Sequence, residues 1–175
     1  MRGLKTLGVV AIALAVGASL AGGAQAVRAP HVGIATLGDL PIVERAPYDE
    51  TANADDMVDA ALARAKTSGK LVLIDLGGNW CGDCIVLANM MRLPEVKSFI
   101  AAQYEVAIVN VGRFDTNLQI PARYGIFTRL EGVPSVLIVD AKSGALVNAG
   151  HIAALADARS MTPQSIADWL AIWAK

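Results

Sequence analysis

An α/β domain, a sheet covered by helices, is the class the chain predicts, and three observations predict it. Leu71, Val72, Leu73, Ile74, Asp75 and Leu76 form a short, β-branched run closed by Gly77 and Gly78, the pattern of a buried strand. Ile85, Val86, Leu87, Met90 and Met91 then recur at helical spacing. Tyr104 to Val111 is again nearly all apolar and alternates poorly, as a strand covered on both faces does.

The chain opens on a segment that reads as a secretory signal peptide, residues 1–26. Arg2 and Lys5 form a positive start, Leu7 to Leu20 an uncharged apolar run, and Ala24, Gln25 and Ala26 a small-x-small cleavage site. The other reading is an uncleaved membrane anchor, but the run is rich in Ala and Gly and only marginally long enough to span a bilayer. The expectation is therefore a periplasmic or secreted protein, cleaved near Ala26. Cleavage would leave 13 basic against 16 acidic residues, a net of −3, and one mildly acidic domain. No basic stripe interleaved with aromatics is present, which argues against nucleic acid as a partner.

Residues 27–50 hold Pro30, Pro41 and Pro47 with Gly33 and Gly38 between them, so an extended lead-in is expected, with at most one short strand near Pro41 to Arg45. His31 reads as a solvated loop residue. A domain over 51–175 follows. Its first helix, Asn53 to Thr67, has Asp55 and Asp56 in the first turn, Lys66 in the last and Gly69 as its stop, with Met57, Val58, Ala61, Leu62 and Ala65 as the buried stripe. After the central strand, a helix from Cys81 or Gly82 to Arg92 is interrupted by Pro94 and resumes through Phe99 and Ala102.

Beyond the strand at 104–111, Gly112 to Asn117 is a polar loop in which Arg113 and Asp115 form a surface ion pair or part of a partner-binding rim, the pair being favoured. A short helix is expected around Pro121 to Tyr124. Ser135 to Asp140 and Ala145 to Asn148, joined by Lys142, Ser143 and Gly144, read as an antiparallel hairpin, with His151 in the loop beyond. The last helix starts at Thr162 with Pro163 in its first position and buries Ile166, Trp169, Leu170 and Trp173.

The chain's two cysteines sit in Trp80, Cys81, Gly82, Asp83, Cys84, at the turn from strand to helix. There the free N–H groups and the positive end of the helix favour a thiolate at Cys81. Two cysteines this close close too short a loop to staple a fold, so exchange is the better reading. A zinc half-site is the other, but tetrahedral zinc needs about four ligands, and only His31 and His151 could add nitrogen.

At these residues the chain resembles the thioredoxin superfamily. The resemblance runs from about Asn53 to the C-terminus: Trp80 before the cysteines, Asp75 in the core strand six residues earlier, and Gly132, Val133, Pro134 and Ser135 about fifty residues later, before another strand. It implies a thioredoxin fold, a central mixed β-sheet flanked by helices on both faces. It departs from ordinary thioredoxins in three ways. Asn89 or a neighbour stands where they have a kinking proline, Ile108 and its neighbours where many have a lysine, and residues 125–132 are slightly longer.

The activity implied is thiol-disulfide exchange through Cys81 and Cys84, with no cofactor beyond that dithiol and no metal. Asp75 is the candidate base for Cys84, because an acid in an apolar strand has its pKa raised by desolvation; the other reading is a hydrogen-bonded structural acid. The substrate-facing residues expected are Trp80, Gly82, Asp83, Val133 and Pro134. A cis Val133–Pro134 bond would turn the Val133 backbone toward the sulfurs and an extended substrate, where a trans proline would simply enter the strand. Trp80 either shields the disulfide or fills core.

A carboxylate at Asp83 opposes a thiolate at Cys81, which points to a reductant of exported proteins. Partners are then protein thiols and disulfides and an upstream membrane or soluble electron donor, with the protein a monomer. The competing class is a binding module that holds a partner or delivers Cu(I) through the same two thiols, although Met90 and Met91 read as buried rather than as ligands.

Overall fold

Asn53 starts the first helix because its side chain accepts from the N–H groups of Asp55 and Asp56, and helix α1 (Ala54–Ser68) runs to Gly69, where a φ of 78° ends it. In this computed structural model residues 27–175 are described; the expected leader, residues 1–26, lies outside them. Strand β1 (Leu71–Gly77) is buried along its whole length. Helix α2 (Gly82–Met90) stops two residues short of Arg92, and after a turn Pro94 occupies the first position of α3 (Pro94–Gln103), where its missing N–H costs nothing. Strand β2 (Tyr104–Asn110), helix α4 (Gln119–Ala122), strand β3 (Ser135–Asp140) and helix α5 (Pro163–Ile172) complete the regular elements, with 3₁₀ turns at Leu37–Asp39 and Ala158–Ser160.

The strands run in the order β2-β1-β3, with β1 parallel to β2 and antiparallel to β3. The register sets Asp75 between Ile108 on β2 and Val136 on β3. One apolar cluster joins Leu73, Leu87, Met90, Ile138 and Leu170 on one face of the sheet. A second joins Val58, Ile74, Ile120 and Leu137 on the other. This is a thioredoxin-like fold, a mixed sheet with helices on both faces.

Several expected details are corrected. The lead-in is irregular, as expected, and holds no strand near Pro41 to Arg45; the buried Asn89 side chain ties it down, its Oδ1 accepting from the N–H groups of Val43 and Glu44 and its Nδ2 donating to the Glu44 and Ile85 carbonyls. A side-chain amide thus satisfies the backbone that a neighbouring strand would have paired. The second arm of the hairpin is shorter than expected: Val139 and Leu146 bridge antiparallel, with Asp140 N–H donating to the Ala145 carbonyl and Val147 N–H to the Ile138 carbonyl, and beyond them the buried Asn148 side chain accepts from the Ile138 N–H and donates to the Val136 carbonyl. Strand β2 is covered less completely than expected, since it lies at the sheet edge and leaves Glu105, Val106, Ile108 and Asn110 half-buried. Met57, Leu62 and Trp173 are also half-buried rather than core, while Trp169 is buried.

Candidate active site

Cys81 is the N-cap of α2, with extended backbone, and its Sγ accepts from the N–H of Cys84 at 3.2 Å. The two cysteines are joined as a disulfide, their Cα atoms 5.2 Å apart. Cys84 is wholly buried, and Cys81 retains slight exposure at 5%. The order follows from the helix: the third residue of its first turn points inward, while the cap residue stands at the rim. The Val133–Pro134 peptide is cis, and the Val133 carbonyl oxygen lies 3.3 Å from Cys81 Sγ. Cys81, Gly82, Val133 and Pro134 therefore come together at one end of the sheet.

In the central strand Asp75 is fully buried. Its Oδ2 accepts from the hydroxyl of Tyr48 at 2.9 Å, and its Oδ1 has no partner among the described residues. Burial raises the pKa of Asp75 to about 7, and the bond from Tyr48 opposes that rise. Tyr48 itself is pushed up by burial and by the carboxylate beside it.

Sequence reasoning missed Tyr48, which it left inside the irregular lead-in. Asn79 pins that segment from both sides, its Oδ1 accepting from the Tyr48 N–H and its Nδ2 donating to the Tyr48 carbonyl. The available signal was Gly77: a Cβ there would collide with the tyrosine hydroxyl, so the glycine makes room for the ring.

Asp83 requires a correction. Its carboxylate is not directed at a substrate but is tied to Arg159, its Oδ1 accepting from the Arg159 N–H at 2.9 Å and its Oδ2 lying 3.1 Å from the Arg159 guanidinium. That guanidinium packs over Gly82, about 3.2 Å from where a Cβ would stand. The residue pair between the cysteines thus presents glycine outward, with a carboxylate and a cation offsetting each other beneath and above it. Arg159 was also missed, because it lies 76 residues away in a 3₁₀ turn with no periodic pattern.

Trp80 is 44% exposed, so it is not core filler. Its indole N–H donates to the Gly112 carbonyl at 2.7 Å, crossing Gly78 so closely that a Cβ there would meet the ring. The expected ion pair between Arg113 and Asp115 does not form. Asp115 accepts instead from the Arg113 backbone N–H, and the Arg113 guanidinium sits over the Trp80 ring, 4.9 Å from its centroid.

Comparison with known proteins agrees with this geometry. The family model described as thioredoxin-like matches residues 53–141, about half of the chain. A thioredoxin from Thiocapsa roseopersicina is 34% identical over 67 residues, a stretch covering 38% of this chain and 64% of that protein. The crystal structure of a disulphide isomerase from Xylella fastidiosa Temecula1 superposes with a TM-score of 0.66 at 38% identity, covering 72% of this chain and 95% of that one. With a CxxC pair at the cap of a helix and the Val133 carbonyl beside it, the chain belongs to the thioredoxin-like family that these matches show.

Proposed function

We propose that the protein is a thiol-disulfide oxidoreductase that reduces disulfides of exported proteins through Cys81 and Cys84. The observation that carries this reading is the disulfide itself, held at the cap of α2 with Cys81 at the rim and Cys84 enclosed. In the reduced protein the Cys81 thiolate attacks one sulfur of a partner disulfide, forming a mixed disulfide and releasing the partner's other sulfur as thiolate. Cys84 gives its proton to Asp75, then attacks Cys81; the partner leaves as a dithiol and the Cys81–Cys84 disulfide forms. Two electrons pass to the partner, and a separate membrane or soluble donor returns them.

Asp75 suits the proton step because burial brings its pKa to about 7, near working pH. The reducing direction rests on the pairing at Asp83. With Arg159 offsetting that carboxylate, the intervening residues supply no uncompensated cation of the kind that stabilises the thiolate of a strong oxidant. The site uses its own dithiol and no cofactor, the partners are protein disulfides, and the place of action is the periplasm or beyond, which the apolar leader supports.

The test is a Cys84→Ser variant expressed with its leader. It is expected to accumulate mixed disulfides through Cys81 with exported proteins, and the purified wild type is expected to equilibrate with glutathione nearer the potential of thioredoxin, about −270 mV, than that of the strong periplasmic oxidant, about −120 mV. Partners held without a covalent link would favour a binding or Cu(I)-delivery module instead.

A further inference from the structure

Beside the redox turn, Trp80 and Phe114 pack with ring centroids 6.0 Å apart, and each carries a guanidinium: Arg113 over Trp80, and Arg129 over Phe114 at 4.6 Å. The four side chains form one continuous Arg-Trp-Phe-Arg strip that begins at the residue next to Cys81. Phe114 holds a φ of 70°, a left-handed backbone that costs a bulky residue energy and that is kept where the ring is needed. Beyond Phe114 the strip opens into a shallow groove with Leu118, Ile126 and Phe127, the last of them 82% exposed.

Among the described residues Arg64, Arg92, Arg123 and Arg159 form ion pairs, whereas Arg113 and Arg129, like Arg28 and Arg45 in the lead-in, form none. Asp115, the carboxylate nearest Arg113 in sequence, is turned back onto its own loop, accepting from the Arg113 backbone N–H and the Thr116 hydroxyl, and the exposed Glu131, nearest Arg129, forms no salt bridge with it. The strip is thus cationic on a chain whose net charge is −1. A guanidinium resting on an aromatic face keeps its edge N–H groups directed outward, where a carboxylate can take two of them side by side.

We propose that this strip is a docking surface for an extended, cysteine-bearing protein segment with acidic residues near its cysteine and an apolar side chain for the groove. The proposal rests on the redox reading and names the chemistry of its substrates. An extended segment advances about 3.3 Å per residue, so carboxylates within a few positions of a cysteine at Cys81 reach the two guanidiniums. Charge complementarity then orients the partner and hastens encounter.

The experiment compares two cystine-bridged peptides, alike except that glutamates flank the cysteine in one and lysines in the other, and a second pair with the cysteines replaced by serine. Reduction by the wild-type protein at low salt is expected to favour the acidic peptide by about tenfold, with binding of the serine peptides ranked the same way, and the preference is expected to shrink in 0.5 M salt. In an Arg113→Gln/Arg129→Gln protein both ratios are expected to fall toward one. Equal treatment of the two charges by the wild type, or a preference unchanged in the double variant, would overturn the docking surface while leaving exchange intact. Preferential binding of the acidic serine peptide without any reduction of the cystine peptides would keep the surface and remove the redox reading.

Discussion

The hydroxyl of Tyr48 donates to Oδ2 of Asp75 across 2.9 Å and leaves Oδ1 of the same carboxyl free of any partner among the described residues. One residue of the irregular lead-in thereby opposes the rise in proton affinity that burial gives an acid in the central strand. A Tyr48→Phe variant loses a bond that favours the charged carboxylate, so the Asp75 pKa is expected to climb above its value near 7. Since the acid must be ionised to accept a proton, the acidic limb of the pH profile for disulfide reduction moves upward, with a several-fold loss at pH 7 that disappears at pH 9. An unmoved limb in this variant, alongside an altered profile in Asp75→Asn, would reduce Tyr48 to packing.

Asp75 also makes stability depend on pH. Its folded pKa, about 7, lies above the unfolded value of 3.8, so the folded state holds the proton more tightly. Stability from this group is complete below about pH 4 and is lost as pH rises toward and past 7. Asp75→Asn is expected to remove that slope and to melt at a higher temperature than wild type at pH 8, with little difference at pH 4. Melting curves over that range check it, and a parallel pH dependence in both proteins would contradict it.

Arg159 and Asp83 offset each other beside Gly82, and removing one leaves the other's charge near Cys81. Arg159→Gln is expected to raise the Cys81 pKa and make the potential more negative, by about 30 mV for a tenfold change; Asp83→Asn is expected to do the reverse. Thiolate absorbance against pH and equilibration with glutathione give both quantities. Shifts of the same sign in the two variants would indicate structural damage rather than electrostatic tuning.

The buried Asn89 amide bonds to the lead-in and to its own helix. Asn89→Ala is expected to cost roughly 2–4 kcal/mol, because it strands backbone groups of Val43 and Glu44 as well as losing its own bonds. Denaturant unfolding measures the loss, and amide exchange at Val43 and Glu44 should quicken before that of β1. Protection at those two amides equal to wild type would show that other contacts hold the segment.

The elements were legible wherever a local pattern decides conformation. Apolar spacing and the Asn53 and Gly69 caps marked α1, continuous burial marked β1, and Thr162 with Pro163 marked the start of α5. Strand pairing is absent near Pro41 to Arg45 and stops short at the end of the hairpin. Asn89 and Asn148 supply, from a side chain, the hydrogen bonds that a strand would have supplied, and a single amide carries no periodicity.

By itself the sequence determined that two thiols stand at the turn from a buried strand to a helix, because strand burial and helix spacing are properties of neighbouring residues. Only the tertiary structure decided what surrounds them: Tyr48 on Asp75, Arg159 on Asp83, and the arginines on Trp80 and Phe114. Most of those contacts join segments far apart in the chain, where partners are selected by the space that packing leaves and by the cost of burying an unpaired charge.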